Sequence, residues 1–435
     1  MFIHYGSLNK RGQMKQPRYQ PTTERFLRYV KIPSQGDPKA PKDKRPTTED
    51  QLIIARVLNE ELLQLGRQNE IEITSEVLPN GMVLGHVPAA KGFENSKHLC
   101  LTAHVDTYPY PNSTPQVTPI VHPAYVEGDI NLPANGTIIP AKELAKLVGQ
   151  RVITSSGDSV LGADDKAGLA SIMQAVSKVL SEKTARGPMT ILFFPDEEDG
   201  RFHAEGLPRE LVESWDMFLS VDGGELGEVD SACYSGRTVT FKITGKDAHP
   251  GPYGHLIVPA QVIAADLIMR MQAMPTPWNK ADHGGYQFPK EVQGEAGAAT
   301  VTCIPRAFED STSLILVEEL RTLGAAVASD YEGCKIEVEV KHQYTSTADA
   351  IAANPLLMPM LAGALRKAGV TLIESRAEGG TDGAMLNLHF PNVPAPNFGV
   401  GAHLYHSWAE FIGEDDLEMG MDAVAEIINA FAYIK

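Results

Sequence analysis

The chain has 435 residues, 43% of them hydrophobic and 21% charged, a balance that excludes a disordered or low-complexity protein. That length is more than one simple core needs and allows two domains. The formal net charge of −17 excludes a nucleic-acid partner, because phosphate binding needs clustered Lys and Arg.

Residues 1–19 carry Lys10, Arg11, Lys15 and Arg18 and read as a basic N-terminal extension, without the apolar segment of a secretory signal. No apolar run approaches the roughly 18 residues of a membrane span, so a cytoplasmic location and no membrane partner are expected. The apolar face formed by Leu52, Ile54, Leu58, Leu62 and Leu65 predicts a helix over 48–66. The short apolar run from Lys97 to Ala103 predicts a buried strand ending at His104. It contains Cys100, which with Cys233, Cys303 and Cys334 forms no Cys-x-x-Cys pair, so neither a disulfide framework nor a thiolate zinc site is expected. Residues 108–150, rich in Pro and Asn, predict a long irregular excursion. Gly168 to Leu180 has helical periodicity. Met189–Phe194 and Met217–Val221 predict further buried strands, followed by Pro195-Asp196-Glu197-Glu198 and Asp222-Gly223-Gly224. Strands alternating with helices predict a mainly parallel α/β sheet covered on both faces.

The texture changes after about Val229. Arg237–Thr244 and Lys335–Lys341 alternate as half-buried strands do, and Ser313–Val317 also reads as a strand. Helical segments are expected at 259–273 and 316–328. These predict a small α+β domain over 231–344, inserted into a catalytic domain made of 20–230 and 345–435. The last predicted element is an amphipathic helix from Asp415 to Tyr433.

Histidines and carboxylates gather just past the expected strand ends, the edge where open α/β sheets bind ligands. His104-Val105-Asp106 taken alone reads more readily as a strand-end polar pair. Asp164 and Asp165 open a helix, where one aspartate would serve as a cap. Asp196 to Asp199 could be a solvated acidic loop, yet it directly follows an apolar strand. Together these groups supply what a two-metal hydrolytic centre needs: oxygen and imidazole donors, one carboxylate to bridge, and a base for water.

Six runs in order carry a family resemblance: Ala-His-Val-Asp-Thr at 103–107, Leu-Gly-Ala-Asp-Asp-Lys-Ala-Gly at 161–168, Pro-Asp-Glu-Glu at 195–198, Val-Asp-Gly-Gly at 221–224, His-Pro-Gly at 249–251 and Gly-Gly-Thr-Asp-Gly-Ala at 379–384. The chain resembles the peptidase T branch of the di-zinc exopeptidases over roughly residues 20–435. The resemblance implies a zinc-exopeptidase-like catalytic domain with an α+β lid. It implies two divalent ions per chain, zinc expected, with Asp164 bridging, His104 and Asp222 on one ion, and Glu198 and His406 on the other. His403 competes with His406 for that place. Asp106 would orient His104, Glu197 would be the general base, and His249 would reach the active site of a neighbouring subunit in a homodimer formed through the lid. The Asp164–Asp165 peptide is expected to be cis. The implied activity is removal of an N-terminal residue from short peptides such as tripeptides.

The pattern departs at the substrate carboxylate. The family carries an arginine in an Ile-Ile-Arg-Asp-Phe-Asp lid strand, and the corresponding stretch is read here as Leu314 to Glu319, without arginine. A second arginine precedes the family's Gly-Gly-Thr-Asp-Gly; Glu378 stands there, with Arg376 two residues earlier. Loss of the guanidinium clamp leaves open an amidohydrolase, deacylase or dipeptidase acting on another substrate, or a non-catalytic peptide-binding relative.

Overall fold

The structure is a computed structural model and describes residues 19–200, 206–279 and 284–434. Of the basic extension at residues 1–19, only Tyr19 falls among them. The apolar runs become the centre of an eight-stranded sheet ordered Thr74–Val77, Val83–Val87, Met189–Phe194, Leu99–His104, Met217–Val221, Asn397–Phe398, Glu228–Cys233 and Ile373–Ala377. Leu99–His104 runs parallel to both of its neighbours, Met189–Phe194 and Met217–Val221. Antiparallel pairings occur toward the two sides of the sheet.

Strand alternation divides the interior. Leu99, Leu101, Ala103, Ile191 and Phe193 face one core, with the helices Asp50–Asn69, Ala163–Ser181 and Glu414–Phe431. Cys100, Leu192, Phe194 and Phe218 face a second core, with Trp215, Leu386 and Phe390. Both faces are covered, which is why these strands are almost wholly apolar, with Thr102, Thr190 and Ser220 the small polar exceptions before the strand ends. At Gly168 the helix Ala163–Ser181 crosses so near the strand ends that an added Cβ would stand 1.9 Å from the Val221 carbonyl oxygen. Glycine is therefore required there.

A separate four-stranded antiparallel sheet is ordered Gly285–Gly294, Ala298–Ala307, Ser235–Thr244 and Lys335–Tyr344. Helices Ala260–Met271 and Asp310–Asp330 pack on it around Phe241, Ile263, Leu267, Val301 and Leu320. The strands Gly285–Gly294 and Ala298–Ala307 were not anticipated from the sequence.

Two expectations are corrected. Ser313–Val317 is not a strand; it lies inside the helix Asp310–Asp330. The run Leu314-Ile315-Leu316-Val317 is apolar throughout, but Leu314 and Ile315 are exposed while Ser313, Leu316, Val317, Leu320, Gly324 and Val327 are buried, a helical spacing. The 108–150 excursion is also more ordered than expected. Its Ile120–Ala124 pairs with Arg151–Thr154, which continues into Phe411–Gly413 and Ala402–His403 as a small sheet.

Candidate metal centre

Three neighbouring parallel strands deliver their carboxyl ends to one place. His104 ends the central strand, Asp196 to Glu198 follow Met189–Phe194, and Asp222 follows Met217–Val221. Asp164 arrives from the start of the helix Ala163–Ser181, where Gly162 has φ 75° and Asp164 and Asp165 are non-helical. The Asp164–Asp165 peptide is cis. Asp165 ties the helix to the strand, accepting from the backbone N–H of His104 at 3.2 Å and of Gly168 at 3.1 Å.

The two carboxylate oxygens of Asp164 face different partners. Oδ1 lies 2.9 Å from His104 Nε2, which is 3.6 Å from Asp222 Oδ1. Oδ2 lies 3.1 Å from His406 Nε2, which is 2.8 Å from Glu198 Oε2. His104, Asp164 and Asp222 form one cluster, and Asp164, Glu198 and His406 form another, each with its donor atoms within 4.8 Å of one another. His403 is outside both; it stacks on Phe411 with ring centroids 4.9 Å apart.

Asp106 is fully buried and joins two parts of the site. Its Oδ1 lies 3.3 Å from His104 Nδ1, and its backbone carbonyl oxygen lies 3.1 Å from the same nitrogen. Its carboxylate also accepts from the backbone N–H of Glu197 at 3.0 Å and of Glu198 at 3.1 Å.

The electrostatics describe an excess of enclosed acid. Burial pushes Glu198 up to about 8, against the pull of His406. Burial, with Asp164 adding to it, pushes Asp222 up to about 6. Glu197 is held well above the ordinary carboxylate range by burial first and by Asp382 next. Burial disfavours a charged His104, yet Asp106, Asp164 and Asp222 together hold its pKa well above the usual value. Glu198 Oε1 and Asp222 Oδ1 are buried without a hydrogen-bond partner among the described residues. Acidic oxygens left over after both imidazoles are engaged fit a bound cation, and the mixed imidazole–carboxylate set suits zinc and similar divalent ions.

A cavity of about 390 Å³ opens over the centre, lined by Asp164, Glu197, Asp222, Arg376, Tyr405 and His406 among others. A second, of about 590 Å³, has Glu197, Lys341, His342, Tyr344 and Asp382 in its wall. Glu197 borders both. His249 does not line either cavity; it is exposed at the start of the short helix Pro250–Tyr253, its Nδ1 accepting from Gly251 N–H at 3.3 Å.

The stretch read as the arginine-bearing lid strand is corrected. Leu314 to Glu319 is helical; the strand before that helix is Ala298–Ala307, which carries Ile304-Pro305-Arg306-Ala307, with Phe308 just past its end. Arg306 donates to Gln343 Oε1 at 2.9 Å and lies over the Tyr344 ring at 5.1 Å. Arg376, beside the centre, lies over Phe308 at 4.2 Å.

Several residues had no role assigned from the sequence. Glu410, buried, accepts from the backbone N–H of Gly162 at 2.7 Å and of Asp164 at 2.9 Å. Asp196, buried and at φ 63°, accepts from Thr47 and from Gln51 Nε2 at 2.8 Å, pinning the turn that presents Glu197. Asp382 is buried in the wall of the second cavity. The quoted Gly-Gly-Thr-Asp-Gly-Ala run was the available signal for Asp382. Nothing local in the sequence marks Glu410.

An open α/β sheet whose carboxyl edge gathers two donor clusters around one shared carboxylate is the architecture of a metal-dependent hydrolase. Residues 162–430 match peptidase family M20/M25/M40. A peptidase T of Geobacillus thermodenitrificans is 30% identical over 414 residues, covering 94% of this chain and 97% of that protein. The crystal structure of aminopeptidase PepT from Bacillus cereus superposes with a TM-score of 0.73 at 22% identity, covering 95% of this chain and 98% of that one. A tripeptidase structure from Staphylococcus aureus gives 0.70 at 21% identity, with 95% and 98% covered. The chain belongs to peptidase family M20/M25/M40, in its peptidase T branch.

Proposed function

We propose that this chain is a two-metal aminopeptidase that removes the N-terminal residue from short peptides, tripeptides foremost. The observation that carries the reading is the split carboxylate of Asp164, one oxygen turned to His104 and Asp222 and the other to His406 and Glu198. Asp164 would bridge two zinc ions, with His104 and Asp222 holding one and Glu198 and His406 the other. When bound, the ions supply Lewis-acid polarisation of the scissile carbonyl and acidify the attacking water.

The chain's own groups do the rest. Glu197 takes a proton from the attacking water as the oxygen bonds to the carbonyl carbon. As the C–N bond breaks, Glu197 returns that proton to the leaving amine. Its place in the walls of both cavities supports that role, because the base must reach both the water and the leaving amine. Asp106 fixes the His104 ring through Nδ1 and holds the backbone of Glu197 and Glu198. Arg376 supplies a cation for the substrate carboxylate from the wall of the first cavity.

His249 of the partner subunit would complete the site and stabilise the oxyanion, which makes a lid-to-lid homodimer the working assembly. No helix among the described residues is long and apolar enough to cross a membrane, and we place the enzyme in the cytoplasm. The test is a panel of tripeptides, dipeptides and N-acyl amino acids, run on chelator-stripped and zinc-reloaded protein with metal analysis. Tripeptide cleavage restored together with about two zinc ions per chain is expected. Hydrolysis of N-acyl amino acids alone, or full activity without metal, would overturn the proposal.

A further inference from the structure

Two imidazoles face the Asp164 carboxylate, and different physics orients each. His104 is buried, and its Nδ1 is held by the backbone carbonyl of Asp106 at 3.1 Å and by the Asp106 carboxylate at 3.3 Å. His406 has a side chain 40% exposed and a left-handed backbone, φ 57°. Among the described residues both of its polar partners meet Nε2, Asp164 at 3.1 Å and Glu198 at 2.8 Å. A ring gripped at one nitrogen can still pivot about that grip.

The ring of Tyr108 lies flat against it, centroids 4.2 Å apart and planes 13° from parallel. Tyr108 is itself carried by a braced segment. Tyr110 packs on Trp408 with centroids 5.2 Å apart, and Trp408 Nε1 donates to Ser113 Oγ at 2.9 Å. The start of the 108–150 excursion is thereby fastened to the loop bearing His406 through Trp408.

We propose that Tyr108 is a positioning residue whose ring face sets the plane of the His406 imidazole, aiming Nε2 between Asp164 and Glu198. The proposal rests on the reading of His406 as a metal ligand. Groups that orient a ligating imidazole typically account for about 10–100-fold in metal affinity. A stacking partner, lacking a directional hydrogen bond, belongs near the lower end.

Calorimetric zinc titration of the chelator-stripped full chain tests this. Tyr108→Phe keeps the ring face and is expected to bind both ions as the parent does. Tyr108→Leu keeps apolar bulk but no face, and is expected to weaken one of the two binding steps about 10-fold. His406→Ala is expected to weaken that same step further. Should Tyr108→Leu fail to fold by circular dichroism, Tyr108→Gln carries the same expectation. Parental zinc affinities in the faceless variant, or a loss in Tyr108→Phe as large as in Tyr108→Leu, would overturn the role of the ring. Unchanged binding in His406→Ala would instead bring down the metal-centre reading itself, and Tyr108 with it.

Discussion

Replacing Asp106 probes the hinge between the histidine and the acidic turn. Its carboxylate accepts two backbone N–H groups, from Glu197 at 3.0 Å and Glu198 at 3.1 Å, and lies against His104 Nδ1. Asp106→Ala leaves both donors without their acceptor. A buried donor that loses its partner costs about 1–3 kcal/mol, and because both bonds are only part-buried the lower range applies, roughly 2–3 kcal/mol together. At about 2–4 °C per kcal/mol for a unit of a few hundred residues, the metal-free protein is expected to melt roughly 4–12 °C lower. Asp106→Asn keeps the shape, but its amide oxygen can serve one of the two N–H groups while its NH₂ confronts the other. About 1–2 kcal/mol is expected for that variant. Both substitutions also take the carboxylate away from His104 Nδ1 while the backbone carbonyl stays at 3.1 Å, so zinc affinity is expected to fall about 10-fold, the lower end of what such partners contribute. Thermal melts of stripped protein and zinc titrations of the same samples read the two effects separately. An Asp106→Asn protein that melts with the parent and binds zinc equally well would refute the argument, because the carboxylate would then hold neither the turn nor the ring.

The paired glutamates are expected to separate by function: Glu197→Gln retains zinc binding and loses about 10²–10⁴-fold in turnover, whereas Glu198→Gln weakens zinc binding, as steady-state kinetics and calorimetry will show. Arg376 is expected to read a free substrate carboxylate, so amidating a tripeptide should lower kcat/KM by about one to two decades; in Arg376→Ala the acid and the amide should be cleaved equally. Light scattering is expected to show a dimer, and His249→Ala to lower kcat without changing zinc binding or the melting temperature. An active monomer indifferent to that substitution would leave the site complete within one chain.

The sequence by itself determined the elements whose information is local. Met189–Phe194 and Met217–Val221 are apolar but for Thr190 and Ser220 because both faces of each strand are covered, and both begin and end where the run does. The polar groups just beyond those runs were equally legible, since a strand buried on both faces can place chemistry only at its end. Pattern failed where a short apolar run fits two periods: Ser313–Val317 is read correctly only with the buried positions Leu320, Gly324 and Val327 in view. That reading left Arg306, in the strand just before the helix, out of view.

Tertiary structure alone decided how the polar ends meet. Asp164 and His406 are far apart along the chain, and their 3.1 Å approach follows from the packing of the helix Ala163–Ser181 and the loop bearing His406, not from any local preference. His406 was expected over His403 from the resemblance; what the fold adds is that His403 is drawn onto Phe411 in the small sheet, while the left-handed turn at Leu404 and His406 brings the second imidazole to Asp164. Tyr108, Asp196 and Glu410 belong to this class as well. Each acts by touching a residue remote in sequence, and a contact of that kind leaves no periodicity to read, because it exists only once the sheet and its helices have closed around it.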